Sequence, residues 1–569
     1  MSGKGRMKVV LCWHMHQPEY RDLSSGEFQQ PWTYLHAIKD YVDMAAHLEA
    51  VPEAKAVVNF VPILLEQIDD YAQQVRRHLN SKQSINDPML NMLNRSVMPS
   101  DCDKRLRLVK NCLRANRDTV IDRFAPFKRL AEIADWVCAN RDALNYISEQ
   151  YLADLLVWYH LSWLGESVRR GNECVKRLIE KGANFTMHDR NALMQVIGEL
   201  LEGLLPRYRK LAESGQVELS MTPYAHPIAP LLLSIESARE AMPDAPLPLL
   251  QQYPGGEERL RRHISYGLDV FESYFGFKPK GCWPAEGSVS VRTLEILDEY
   301  GFQWAATGEN VMRNSINRDG CAIDGLECRG SHQAYQVQEQ NIRMFFRDDG
   351  LSDMVGFTYS TWHADDAVGN LIQNLENIAS HCEDMPGSVA SIILDGENAW
   401  EYYPENGYYF LSTLYERLAE HPDFELTTYS AVVDEQVPAG KLQGLMAGSW
   451  VYGTFSTWIG DNDKNRGWDM LGDVKRCYDR AVNAGDLSDA QLKAAEQQLF
   501  ICEGSDWFWW FGDYNPADSV SDFEQMFRMH LARLYELLGE EPPEYLSHVF
   551  THGSGAPAMG GTMRPGQAS

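Results

Sequence analysis

Residues Ser391 to Glu401 read SIILDGENAWE, and this stretch decides the fold. Ile392, Ile393 and Leu394 form a short apolar run that reads as a buried parallel strand. It stops abruptly at Asp395, Gly396, Glu397 and Asn398. Two carboxylates therefore stand where a strand ends. In parallel α/β folds ligands and chemistry gather at strand ends, because helices cover the strands themselves. A lone D-G-E-N is equally well explained as a polar turn with an Asx cap, so the weight falls on the rest of the chain.

The same pattern recurs along the sequence. Lys8 to Trp13 (KVVLCW) reads as a first buried strand running into His14, Met15, His16, Gln17 and Pro18. Strand geometry turns positions i and i+2 to one face, so His14 and His16 point the same way. Such a pair can begin a divalent-metal site completed by later carboxylates, or donate hydrogen bonds to a polar substrate, or be structural. Ala56 to Phe60 is a second strand, followed by a helical pattern from Pro62. From about Gln74 to Gln150 the strand–helix rhythm is lost, which reads as a helical insertion. Gly215 to Met221 carries Glu218 on the next strand and enters TPYAHPIAPLL, whose prolines predict an extended loop with no helix around Tyr224 and His226. Lys280 to Trp283 ends in Pro284, Ala285, Glu286 and Gly287, and a helix through Val291 to Tyr300 follows. Glu286 is then a loop carboxylate at a strand end, or an acidic residue favoured near a helix start. Strands at Gln303 to Thr307 and Arg343 to Phe346 flank an irregular piece with Cys321 and Cys328. The second of them runs into RDDGLSDMVGFTYSTW.

This gives seven or eight β-helix units, and the alternation argues for a parallel barrel. Beyond Val437 the pattern becomes helical. Ser488 with Gln491 forms a capping-box signature, and SDWFWW at Ser505 to Trp510 offers core aromatics with some rings at the barrel mouth. The expected division is a catalytic barrel at 1–436, a helical domain at 437–548 that contributes to the cleft, and a disordered Gly/Pro-rich tail at 549–569.

The composition fits a soluble protein with a neutral substrate. Lys plus Arg is 52 against 80 Asp plus Glu, a net charge of −28, which excludes nucleic acid and anionic membrane as natural partners. The 15 Trp, 26 Tyr and 21 Phe suit sugar rings, whose C–H faces lie on aromatic surfaces, and suit a large core equally. No phosphate-binding glycine loop, apolar span or secretory leader is visible. The eleven scattered cysteines lack a C-x-x-C pair, so the expectation is a cytoplasmic protein with reduced thiols and no structural zinc.

HQP at His16 to Pro18, GQVE at Gly215 to Glu218, W-x-x-E at Trp283 to Glu286, D-G-E-N at Asp395 to Asn398 and SDWFWW at Ser505 to Trp510 resemble the five ordered motifs of glycoside hydrolase family 57. The resemblance implies an incomplete (β/α)7 barrel with a C-terminal helical bundle. It also implies a retaining glycosidase acting on α-1,4-glucans, as α-amylase or 4-α-glucanotransferase, through a covalent glycosyl-enzyme intermediate. Glu286 would be the nucleophile and Asp395 the acid/base, with Glu397 a supporting carboxylate. His14, His16, Glu218, Trp283, Asp506 and Trp507 would bind substrate, with no metal and no cofactor. A branching enzyme, a metal-dependent α-mannosidase-like hydrolase using His14 and His16, and a non-catalytic glucan-binding relative are the alternatives. Oligomeric state is open.

Overall fold

The structure, a computed structural model, describes residues 6–317, 323–324, 330–382 and 387–555. Seven strands carry the sheet: β1 (Met7–Met15), β2 (Ala56–Phe60), β3 (Val217–Met221), β4 (Gly281–Cys282), β5 (Trp304–Gly308), β6 (Arg343–Arg347) and β7 (Val389–Asp395). They lie in the order β7-β1-β2-β3-β4-β5-β6, each parallel to its neighbour. Their apolar runs explain this, since a strand covered on both faces must be hydrophobic throughout. Every residue of β1 and β2 is buried.

Side-chain alternation sorts β1 into two packing groups. Val9, Leu11 and Trp13 join the large cluster beneath the surrounding helices, while Val10 and Cys12 join Val57, Trp283, Trp304, Phe345, Ile393 and Tyr429 inside. His14 continues the inner set at the strand's end. The register sets it opposite Asn59 on β2 and Asp395 on β7. Gly396 then turns against β1: its N–H donates to the His14 carbonyl (2.7 Å), and a Cβ there would collide with the Met15 sulfur.

Between β6 and β7 the described residues form no ladder. Asp348 N–H donates to the Ser391 carbonyl at 2.8 Å, and side chains fill the remaining seam. Short strands Tyr335–Val337 and Gly440–Leu442 extend the sheet beyond β6, and Phe424–Leu426 pairs with the start of β1, far from the strand ends that matter.

Helix α1 (Pro62–Ser81) begins with proline in its first turn, where no N–H is required. It runs past Gln74, so the strand–helix unit continues into the segment expected to be an insertion. From there to α2 (Met187–Glu213) the described chain is helical. Further helices are α3 (Gly256–Phe275), α4 (Val291–Glu299), α5 (Ala364–His381) and α6 (Tyr408–Glu420). After residue 461 come α7 (Asn462–Ala484), α8 (Asp489–Cys502), α9 (Asp506–Trp510) and α10 (Ala517–Leu537), with the Ser488–Gln491 capping box in place.

Two local expectations are corrected. The proline-rich loop does contain a helical turn, Ala229–Leu233, because Pro230 sits in its first turn, where proline costs no hydrogen bond. The chain after Val437 is not helical at once: it first makes strand Gly440–Leu442 and an irregular segment reaching Asp461. Cys321, Cys328 and the tail from residue 556 lie outside the described residues.

Candidate active site

Glu286 and Asp395 line one small pocket of about 30 Å³ together with His14, His16, His226, Glu397, Asp506 and Trp510. A larger cavity of about 380 Å³ adjoins it and is lined by Asp395, Arg347, Phe357, Tyr402, Trp450, Tyr452 and Trp509. Asp395 and Asn398 border both. The pocket collects the ends of β1, β4 and β7, the loop after β3, and the start of α9.

Glu286 is 4% exposed and holds a left-handed backbone, φ 56° and ψ 27°. That conformation is uncommon for a residue with a side chain and is retained where surroundings impose it. The imposing partner is the segment Gly448 to Trp450. Val289 and Gly448 form a bridge, Trp450 N–H donates to the Glu286 carbonyl (3.1 Å), and the Trp450 indole N–H donates to Glu286 Oε2 (3.0 Å). Burial lifts the Glu286 carboxyl well above its ordinary range, followed by the charges of Asp395 and Asp506, while the indole bond opposes the rise.

Asp395 accepts from Asn398 Nδ2 at 2.6 Å. Burial pushes its carboxyl up to about 6, against the Asn398 bond and the Arg347 charge. Glu397 is fixed differently: one oxygen accepts from Gln17 Nε2 (3.1 Å) and the His16 N–H (3.4 Å). Burial, then the Asp395 and Asp40 charges, raise it well above normal. Glu397 is held by β1's exit, and of the two only Asp395 borders both cavities.

The histidines form a relay. His14 Nδ1 meets Asn59 Oδ1 (2.8 Å), and the Asn59 amide is oriented by its Nδ2 bond to Ser220, so His14 Nδ1 is the donor. His14 Nε2 is then an acceptor for His226 Nε2–H (3.1 Å), and His226 Nδ1 accepts from the Ser505 hydroxyl (2.8 Å). Burial and the neighbouring imidazoles lower His14 to about 3 and His226 well below its ordinary value, so both are neutral. His16 stacks on His226 with centroids 3.9 Å apart and bonds Asp506 at 2.9 Å. One atom from each of His16, His226 and Asp506 lies within 4.8 Å of the others, a donor set able to bind a transition metal.

Two expected ligand-binding residues stand elsewhere. Glu218 lies on β3 deeper in the interior, accepting from Trp304 Nε1 (2.6 Å), from Ser430 N–H (2.9 Å) and from the Ser430 hydroxyl. Trp507 is in the core: its N–H donates to the Ile501 carbonyl (2.8 Å) and its ring packs on Phe523, Phe527 and His530. On the same short helix it is Trp509 and Trp510 that face the two cavities, a consequence of the 100° step between helical neighbours. Trp283 supports the floor, 6.4 Å from the His14 ring and 5.3 Å from Trp450. The sequence reading left His226 undecided and missed Trp450. The signal for Trp450 was GSWVYG, a glycine and aromatic loop between a strand and a helix.

Fold and pocket together define an α/β protein whose strand ends gather carboxyls, imidazoles and indoles. The model of Glycosyl hydrolase family 57 matches residues 10–443, and the chain belongs to this family. Its structure resembles the family 57 branching enzyme of Pyrococcus horikoshii (16% identity, 98% of this chain and 99% of that one, TM-score 0.56). It also resembles the α-amylase AmyC of Thermotoga maritima (14% identity, 94% and 93%, TM-score 0.56). A third likeness is a family 57 branching enzyme of Thermococcus kodakaraensis (15% identity, 93% and 90%, TM-score 0.54). A comparison with curated sequences returned no match.

Proposed function

We propose that this protein is a retaining enzyme of α-1,4-glucans, with Glu286 as nucleophile and Asp395 as acid/base. The observation that carries this reading is that two strand-end carboxyls share one buried pocket, with Asp395 alone of the candidate acids bordering the wider aromatic cavity as well. An ionised Glu286 oxygen attacks the anomeric carbon while Asp395 gives its proton to the glycosidic oxygen, and the leaving sugar departs through the wider cavity. Asp395 then takes a proton from water or a sugar hydroxyl, whose oxygen displaces Glu286 from the same carbon. The two carboxyls share one pocket and the Asp395 charge raises Glu286, so their titrations are coupled; the reaction runs from the form in which Glu286 is ionised and Asp395 carries the proton. The neutral histidine relay and Asp506 are the hydroxyl-binding side.

Phe357, Tyr402, Trp450, Tyr452 and Trp509 make the leaving-group side a sugar platform, which favours a sugar acceptor over water. We accordingly read the chain as a glucanotransferase or amylase, with branching as the second reading, supported by the likeness to two branching enzymes over most of both chains. In this reading the open strand order is an incomplete (β/α)7 barrel, residues 1–436, and α7 to α10 are a helical bundle over its mouth.

Incubation with maltoheptaose tests the proposal. Longer maltodextrins show transfer, only shorter ones hydrolysis, and new α-1,6 linkages branching; no turnover of any kind rejects it. Glu286→Gln and Asp395→Asn should each lower turnover by about 10³-fold or more with the fold intact. A maltosyl fluoride donor, whose leaving group needs no proton, separates the roles. Asp395→Asn should still form the glycosyl-enzyme from it, and Glu286→Gln should not.

A further inference from the structure

The seam between β6 and β7 is occupied by Arg347, the last residue of β6. Its guanidinium uses all three nitrogens. Nε donates to the Ile393 carbonyl (2.8 Å), Nη1 to Asp349 Oδ1 (2.8 Å) and Nη2 to Asp353 Oδ1 (2.7 Å). Its carbon lies 5.3 Å from the centre of the Trp450 ring. The residue is 5% exposed.

Ile393 pairs with Cys12 on one side, and its own N–H and C=O face the seam, where no strand supplies partners. The Ser352 hydroxyl meets the N–H at 3.2 Å and Arg347 meets the carbonyl. Side chains thus replace a missing ladder two residues before Asp395, satisfying backbone groups that burial would otherwise leave unpaired. On its other face Arg347 backs the indole that holds Glu286.

We propose that Arg347 is a positioning residue, a brace across the open seam that fixes the β7 end bearing Asp395 and the Trp450 ring bearing on Glu286 in one mutual geometry. The inference rests on the assignment of those two carboxyls above. A planar fork with three directed donors is what the task requires. Lysine offers a compact charge that reaches one or two of these acceptors. Arg347 also lowers the Asp395 carboxyl through its charge, which gives a second readout.

Arg347→Lys and Arg347→Met should both keep KM for maltoheptaose within about threefold while kcat falls about 100-fold, the scale of an ångström misplacement. In the Met variant the alkaline limb of kcat/KM should also move to higher pH, because the cation opposing Asp395 protonation is gone; in the Lys variant it should stay. A rise in KM with kcat preserved would make Arg347 a substrate contact and overturn the proposal, as would kcat unchanged in both. Asp353→Ala frees one prong from a solvent-facing anchor and should lower kcat severalfold, so an unfolded Met variant does not remove the test. ¹³C-carboxyl NMR titration of Asp395 in the wild type and Arg347→Met reads the arrangement without turnover. An inactive wild type with the expected shift rejects the functional reading alone, and no shift rejects the brace.

Discussion

Glu286 keeps its left-handed backbone because Trp450 holds it at both ends, carbonyl and carboxylate. The indole N–H favours the ionised form, so Trp450→Phe, which keeps the ring and removes the donor, should raise the Glu286 pKa. The acid limb of kcat/KM then moves to higher pH, because more alkali is needed to ionise Glu286, the proposed nucleophile; a pH-rate profile checks it. Asp395 shows the opposite side of site energetics. Its folded pKa of about 6 exceeds the ordinary 3.8, so between those values the unfolded chain releases its proton first and stability falls as pH rises. Asp395→Asn removes that loss. Urea unfolding should show the variant more stable than wild type by about 1–3 kcal/mol at pH 7.5, with the difference gone below about pH 4. Residue identity made both carboxyls visible in the sequence as strand-end acids. Trp450 stayed hidden because its importance comes from a contact 164 positions away.

At the scale of elements, α8 and α9 are tied to α3 by one buried charge network. Glu503 accepts from Arg259 through two nitrogens (2.8 Å each), from His263 Nε2 (2.8 Å) and from the Tyr253 hydroxyl (2.6 Å). Against the cost of burial, the Arg259 charge and the His263 bond hold its carboxyl down at about 2. Ser505 and Asp506 follow immediately, and His263 Nδ1 also receives the Ala225 N–H, next to His226. Glu503→Gln leaves the buried Arg259 with only the longer Glu496 contact (3.7 Å) and should destabilise the fold by about 3–5 kcal/mol in chemical denaturation, with activity lost before global unfolding as the His226 and Asp506 loops loosen. The strands were legible because buried parallel strands are written as apolar runs with abrupt polar ends. Expected and observed ranges coincide at β2 and differ by one or two residues at β1 and β3 to β6, while β7 begins three residues before its apolar run. The two-residue β4 shows the limit, since so short a strand is fixed by its neighbours. The helix at Ala229–Leu233 and the length of α1 were misread because proline and polar composition were weighed without the packing that decides them.

For the whole molecule, the family and the ordered motifs were readable from the chain, while the side chains between the motifs were not. Arg347 looked like one more charge in RDDGLSD, and only the strand order reveals the seam it crosses. No helix among the described residues is long and apolar enough to span a membrane. The His16, His226 and Asp506 cluster sets one further expectation: activity should survive EDTA, and added Zn²⁺ should inhibit in competition with substrate. Restoration of a chelated enzyme by metal would instead identify a metal-dependent hydrolase. The His16–Asp506 pair also has a temporal meaning. It joins positions 490 residues apart, the first strand of the sheet and a helix near the far end of the chain. Closing so long a loop comes late, because local helices and adjacent strands form at lower entropic cost. On the ribosome, β1 to β7 are all made before Asp506 is added. A nascent or truncated chain can therefore hold Glu286 and Asp395 and still lack the carboxylate that His16 meets across the pocket, so the pocket closes only once the chain beyond its sheet has been made.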